Sequence, residues 1–310
     1  MTARPRIRSA LIAALTVLSG ALLAAPPAAA ETPRYREYVA LGDSWTADVV
    51  IVGTRGLPTA RYVPLGCLQS TENYPKQVAE AIGVEKFYDA SCGGATTDDF
   101  SSPQAAPLGG TNAPQFAHLS RTTDLVTVGI GGNDAGLAAA VLDCLNVTGG
   151  LVPGLPFPLG GSCEQKWTDG GVDRISQQIK AAEPKVVAAL RKIGKLSPEA
   201  EVYLVNYLAG VREPGCYPVQ PASNSDQEWL ARKLRELNAM LARAAKTGGV
   251  TLIDTYRPTI GHDACQLPTA RYVEGFLPLS LNQPAIAVPF HPNSAGADAQ
   301  AAIVASAVSR

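Results

Sequence analysis

The chain is short of several features that would assign it at sight. It has no apolar run of the roughly 20 residues a membrane-spanning helix needs, so no retained anchor is expected. No C-x-x-C pair or clustered Cys/His spacing occurs, which removes the common structural zinc sites and leaves no metal ligands to nominate. Neither sign of charge dominates: 26 Lys and Arg face 27 Asp and Glu, mixed along the chain. A net charge of −1 argues against nucleic acid or an anionic membrane surface as the principal partner. The nucleophile elbow G-x-S-x-G is missing, because Trp45-Thr46 follow Ser44 and the later Asn293-Ser294-Ala295-Gly296 lacks the first glycine. Gly129, Gly131 and Gly132 begin a dinucleotide fingerprint, but Asp134 stands where its third glycine belongs. A phosphate loop fails too, since Leu137 follows Gly136 where lysine is required. No internal repeat or coiled-coil pattern is present.

What is present starts with a leader. Residues 1–8 carry three arginines, residues 10–25 are mostly apolar, and Ala28-Ala29-Ala30 precede Glu31. This order of basic start, apolar middle and small-residue end is that of an export signal over residues 1–30, cleaved after Ala30. No cysteine lies near that point to carry a lipid anchor. The remaining 31–310, about 280 residues, suffice for one large single-core domain.

All six cysteines fall in this exported portion. An even number in an oxidising compartment reads as disulfides, although many pairings are open. Sequential pairing, Cys67–Cys92, Cys144–Cys163 and Cys216–Cys265, is preferred because each bridge then closes a local segment.

Apolar runs of strand character alternate with helical periodicity. Strands are predicted over 38–41, 86–90, 124–130, 201–206 and 250–253, and helices over 73–82, 172–193, 226–246 and from Asn293 or Ser294 to about Val308. Pro184 is expected to break or kink the helix it falls in. Such alternation implies a parallel sheet covered on both faces. The segment 151–161, "LVPGLPFPLGG", is an irregular loop tied by Cys144 and Cys163, or else an apolar flap over an acyl chain.

In doubly wound folds ligands bind beyond the carboxyl ends of the strands. Three predicted strands end in turns bearing chemistry: Gly42-Asp43-Ser44, Gly93-Gly94, and Gly132-Asn133-Asp134. Taken alone, Ser44 reads more readily as a turn serine than as a nucleophile. Gly94 lets a backbone N–H approach a substrate oxygen, and the Asn133 amide can donate a hydrogen bond. With the Ser44 N–H these would make an oxyanion hole. The base must come from three histidines: His118 in a short polar helix or loop, His262 beside Cys265, and His291 in a loop ahead of a helix cap. Asp43 and Asp134 read as hydrogen-bonding supports for their neighbours.

The four blocks Gly42-Asp43-Ser44, Gly94, Gly132-Asn133-Asp134 and His291, in this order, resemble the SGNH or GDSL-type hydrolases, most closely their secreted actinobacterial esterases and lipases. The resemblance runs from Tyr38 to the C-terminus and includes three cysteine pairs in comparable places. It implies a three-layer α/β/α sandwich about a five-stranded parallel sheet, Ser44 as nucleophile, His291 as general acid/base, and Gly94 and Asn133 as oxyanion donors beside the Ser44 amide. It implies no obligatory cofactor. A small-molecule or lipid ester is the expected substrate, with at most transient contact with a lipid surface, and a monomer is expected. The alternatives are a carbohydrate O-deacetylase, which should set aromatic platforms around Ser44, and a secreted binding module that kept the fold without catalysis.

Two positions depart from the family pattern. Trp45 stands where leucine usually follows the serine. Val288 stands where an aspartate usually lies three residues before the histidine. The expectation is therefore that a backbone carbonyl, that of Val288, orients Nδ1–H of His291.

Overall fold

The computed structural model describes Met1 and residues 34–145, 161–278 and 285–310. The expected leader, beyond Met1, and segment 151–160 lie outside the described residues. From Arg34 onward the described residues form one compact unit.

Five strands make the central sheet: β1 (Glu37–Gly42), β2 (Lys86–Asp89), β3 (Leu125–Gly129), β4 (Glu201–Val205) and β5 (Thr251–Ile253). They are parallel throughout and ordered β2-β1-β3-β4-β5. Side chains alternate across the sheet, as strand geometry requires. Val39, Leu41, Val126, Val128 and Leu204 point into one apolar layer, and Tyr38, Ala40, Leu125, Tyr203 and Val205 into the other.

The first layer is covered by α5 (Arg174–Leu196) and α6 (Asn224–Gly248), whose buried Ile179, Val186, Leu190, Leu237 and Leu241 repeat at helical spacing. The second is covered by α2 (Tyr74–Ile82) and α7 (Ser294–Val308), through Tyr74, Val78, Val304 and Val308. This is the three-layer α/β/α sandwich the sequence implied.

The helix α5 continues through Pro184, so of the expected break or kink the break does not occur. Proline costs about 3 kcal/mol within a helix. Here the apolar stripe of Ile175, Ile179, Val186, Leu190 and Ile193 is buried along α5 on both sides of it, and that burial outweighs the lost hydrogen bond. The three disulfides pair sequentially, as preferred from the sequence, and the second joins the end of α3 (Leu137–Cys144) to the start of α4 (Cys163–Thr168).

An element without a sequence signal fastens the C-terminal region. Val50–Gly53 pairs antiparallel with Ala285–Ala287, and Val288 N–H donates to Val49 C=O at 2.8 Å. The segment leaving the Ser44 turn is thereby joined to the segment leading to His291.

Candidate active site

The order β2-β1-β3 places a switch in winding direction at β1, where the strand ends leave a crevice. Three turns meet there. The first follows β1: Asp43 N–H donates to Gly129 C=O at 3.0 Å, and the Asp43 carboxylate caps the short helix α1 (Ser44–Ala47) by accepting from Trp45 N–H at 3.0 Å. Ser44 is the first residue of α1, and its own N–H has no hydrogen-bond partner among the described residues.

The second turn follows β2. Cys92 N–H donates to Gly42 C=O at 3.1 Å and Gly93 N–H to Cys67 C=O at 2.9 Å, next to the Cys67–Cys92 bridge. Gly94 then takes φ +74°, a left-handed conformation that costs glycine little. Its N–H is likewise without a partner among the described residues.

The third turn follows β3. The Asn133 amide donates to Ala95 C=O at 2.9 Å, which leaves its second N–H free to point elsewhere. Asp134 accepts Thr97 N–H at 3.0 Å and the Thr97 hydroxyl, tying the second and third turns together. Both aspartates thus support their neighbours, as read from the sequence.

The fourth component arrives from the far end of the chain. His291 Nε2 lies 2.9 Å from Ser44 Oγ, across 247 residues of sequence. Its Nδ1 lies 3.0 Å from the carbonyl of Pro289. A carbonyl can only accept, so Nδ1 carries the proton and the neutral ring presents its Nε2 lone pair to the serine hydroxyl.

The expected orienting group, the Val288 carbonyl, is not the one used. Val288 C=O accepts the backbone N–H of His291 at 3.1 Å, which closes the turn and spends that oxygen on the main chain. Phe290, at φ +58°, reverses the backbone between them, so Pro289 C=O faces the imidazole instead. Burial holds the His291 pKa below its ordinary value, against a smaller upward pull from the Pro289 carbonyl.

The His291 loop is itself clamped. Glu274 N–H donates to His291 C=O at 2.9 Å, and Glu274 C=O accepts from Phe290 N–H at 3.1 Å. The Asn293 amide donates to Arg271 C=O, and Asn293 N–H to Tyr272 C=O, both at 2.9 Å. Arg271 and Glu274 form an ion pair at 2.6 Å with side chains 4% and 0% exposed.

The other histidines are engaged away from this crevice. His118 stacks on Tyr88 at 3.7 Å between ring centroids, and His262 on Tyr272 at 3.9 Å.

Sequence reasoning missed Tyr207. It follows β4, the neighbour of β3, and its hydroxyl donates to the Asp43 carboxylate while accepting Gly132 N–H at 2.7 Å. A Cβ at position 132 would fall 2.8 Å from that oxygen, so glycine permits the approach. Burial pushes the Asp43 pKa up to about 7, opposed by the hydrogen bonds from Tyr207 and Trp45. The one signal for Tyr207 was its place just beyond a strand end, in "VNYLAG".

A hydroxyl facing a single-tautomer imidazole, with unpaired N–H groups on adjoining turns, is an arrangement that can pass a proton and hold a developing oxyanion. Comparison with known proteins agrees with that chemistry. Residues 40–299 match the model of the GDSL-like lipase/acylhydrolase family. The chain belongs to this family.

It is a carboxylic ester hydrolase, and its relatives span nearly all of it. The hydrolase is 32% identical to lipase 2 of Streptomyces coelicolor, over 94% of this chain and 92% of that one. It is 29% identical to an esterase of Streptomyces scabiei, over 87% and 85%. Among solved structures, its fold resembles phospholipase A1 of Streptomyces albidoflavus, with TM-score 0.62, 20% identity, and coverage of 88% and 99%. It also resembles an extracellular lipase of Streptomyces rimosus, with TM-score 0.59, 23% identity, and the same coverage.

Proposed function

We propose that the hydrolase cleaves carboxylic acyl esters through a covalent acyl-enzyme on Ser44. His291 takes the hydroxyl proton as Ser44 attacks the ester carbonyl, then delivers it to the departing alcohol. Water, activated by the same imidazole, releases the acid. The developing oxyanion is received by the N–H groups of Ser44 and Gly94 and the Asn133 amide. The Pro289 carbonyl holds the ring and its tautomer, the task a carboxylate performs in other serine hydrolases.

The observation that carries this reading is the 2.9 Å contact between Ser44 Oγ and His291 Nε2, made while Nδ1 is engaged by a carbonyl. The deacetylase alternative finds little support among the tryptophans: Trp229 is buried in the core and Trp167 packs at the edge of that core under Arg174, so of the three only Trp45 neighbours Ser44. The test is hydrolysis of p-nitrophenyl butyrate by the wild type and by Ser44→Ala. Loss of turnover by several orders of magnitude in the variant, with unchanged unfolding, is expected. Equal rates would overturn the proposal.

We further propose that residues 1–30 direct export and are removed, leaving 31–310 as one domain. Three disulfides favour an oxidising compartment. N-terminal sequencing of the enzyme recovered from culture medium should begin at Glu31, and recovery only from the cytoplasm would overturn this.

A further inference from the structure

We infer that Gln104, on a short hairpin apart from the reacting groups, is a positioning residue that aims the Gly94 N–H at the developing oxyanion by holding the other end of the same peptide. This rests on the oxyanion role proposed above for Gly94 and deepens it.

Gly94 is the third residue of a four-residue turn, Cys92–Ala95, closed by Ala95 N–H donating to Cys92 C=O at 3.2 Å. Its φ is +74° while Gly93 has no positive φ, so the turn is of type II. A type I turn follows the same path and closes with the same bond, but its central peptide is rotated by about half a turn. Here the central peptide joins two glycines. With no Cβ on either side to favour one form, the main chain by itself leaves that rotation unfixed. The type II form offers the Gly94 N–H to the reacting ester, whereas the type I form would offer the Gly93 carbonyl, which repels an oxyanion.

The Gln104 side chain selects between them. Its Nε2 donates to Gly93 C=O at 2.8 Å, and a carbonyl can only accept, so the amide nitrogen is the end that faces it. In a trans peptide the C=O and N–H point opposite ways, so fixing the carbonyl fixes the N–H. The same bond polarises the peptide and strengthens the N–H as a donor. The other two donors are also held from behind: Asp43 C=O, in the peptide that bears the Ser44 N–H, accepts from Thr46 and Ala47 N–H, and the Asn133 amide donates to Ala95 C=O.

Gln104 is 6% exposed, makes no other side-chain hydrogen bond among the described residues, and leaves its Oε1 buried without a partner there. An amide buried with its oxygen unpaired is a cost to the fold, so what it contributes is its one bond. Its hairpin, Gln104–Ala105 paired with Thr111–Asn112, is anchored beside the turn, because buried Ala106 packs with Val63 and with the bridged Cys67 and Cys92. Without the amide, the carbonyl of buried Gly93 would be unpaired, and rotation of the peptide would turn it toward the exposed side of Gly94. Loss of Gln104 therefore favours the form that lacks the donor.

The experiment measures kcat and KM for p-nitrophenyl butyrate, and Ki for n-butylboronic acid, whose adduct with Ser44 puts an anionic oxygen where the oxyanion develops. Gln104→Met keeps the length of the side chain but cannot donate. Its kcat should fall about tenfold to a hundredfold with KM little changed, and its Ki should rise by a similar factor. Gln104→Leu should do the same, so the test stands if one replacement does not fold by urea unfolding. Gly94→Ala has room, since its Cβ would meet only Pro107 Cγ at 3.7 Å, but it disfavours the positive φ and with it the type II turn. Because both changes act through one peptide, Gln104→Met combined with Gly94→Ala should lose little more than the worse single variant. Leu108→Ala, on the same hairpin but 72% exposed, should match the wild type. Wild-type kcat in a folded Gln104 variant, a loss confined to KM, or multiplying losses in the double variant would overturn the inference while ester hydrolysis itself stood. Equal rates for the wild type and Ser44→Ala would instead overturn the mechanism on which it rests.

Discussion

The hydroxyl of Tyr207 joins the carboxylate of Asp43 in a fully buried hydrogen bond, and so ties the residue before Ser44 to the loop that carries Asn133. One oxygen serves two turns, donating to Asp43 and accepting from Gly132. Removing it in Tyr207→Phe leaves the Gly132 N–H buried without its acceptor, which should cost about 1–3 kcal/mol. Urea unfolding should register that loss, and kcat should fall about tenfold or more as the Asn133 loop loses its register. Wild-type stability and turnover in the variant would refute the bridging role.

Asn133→Ala removes one proposed oxyanion donor without touching Ser44 or His291. The expected result is a fall in kcat of about 10²–10³ with KM little changed. A loss confined to KM would assign Asn133 to substrate binding instead.

The pH profile follows from His291. Only the neutral ring can take the serine proton, and burial has lowered its pKa. The acid limb of kcat/KM should therefore lie below about 6.5, the ordinary histidine value. A limb at or above that value would contradict the buried, neutral imidazole.

Asp48 gives a stability signature of the opposite sign. It is buried, one carboxylate oxygen has no partner among the described residues, and burial with nearby Asp298 raises its pKa to about 8. A raised folded-state pKa means that stability is complete below the unfolded value of about 4 and is lost as pH rises through about 8. The wild-type urea midpoint should fall across that range. Asp48→Asn should flatten the fall, and asparagine suits the φ of +53° at this position. Parallel curves for the two proteins would exclude Asp48 as the source.

The Arg271–Glu274 pair is expected to specify the His291 loop more than to stabilise the fold. Glu274→Ala strips the carboxylate from a buried guanidinium and should cost about 3–5 kcal/mol. The paired change Arg271→Met with Glu274→Leu should cost much less than the two single changes together. Additive losses would show that the two side chains act independently.

How much of this was legible in the sequence depended on where the information sits. The strands around Val39–Leu41 and Val126–Val128 announced themselves because parallel strands buried on both faces are continuously apolar. Ser44, Gly94, Asn133 and His291 were legible because each is a side chain or glycine of distinctive chemistry at a strand end or cap. The orienting group at His291 was placed one residue off, since a carbonyl carries no side-chain signature and only the turn at Phe290 decides which oxygen faces the ring. Tyr207 and the Arg271–Glu274 pair stayed hidden for a related reason: each matters through a partner distant in sequence or through the loop it folds onto. The sequence left open whether α5 breaks or only kinks at Pro184, because a local backbone penalty carries no sign of the tertiary burial that offsets it.

The ladder between Val50–Gly53 and Ala285–Ala287 has a bearing on the birth of the enzyme. The serine is made early and the imidazole near the end, so a growing polypeptide carries no working pair until all but its final helix has been synthesised. A ribosome-bound or prematurely terminated chain consequently lacks the partner that Ser44 meets in the finished fold.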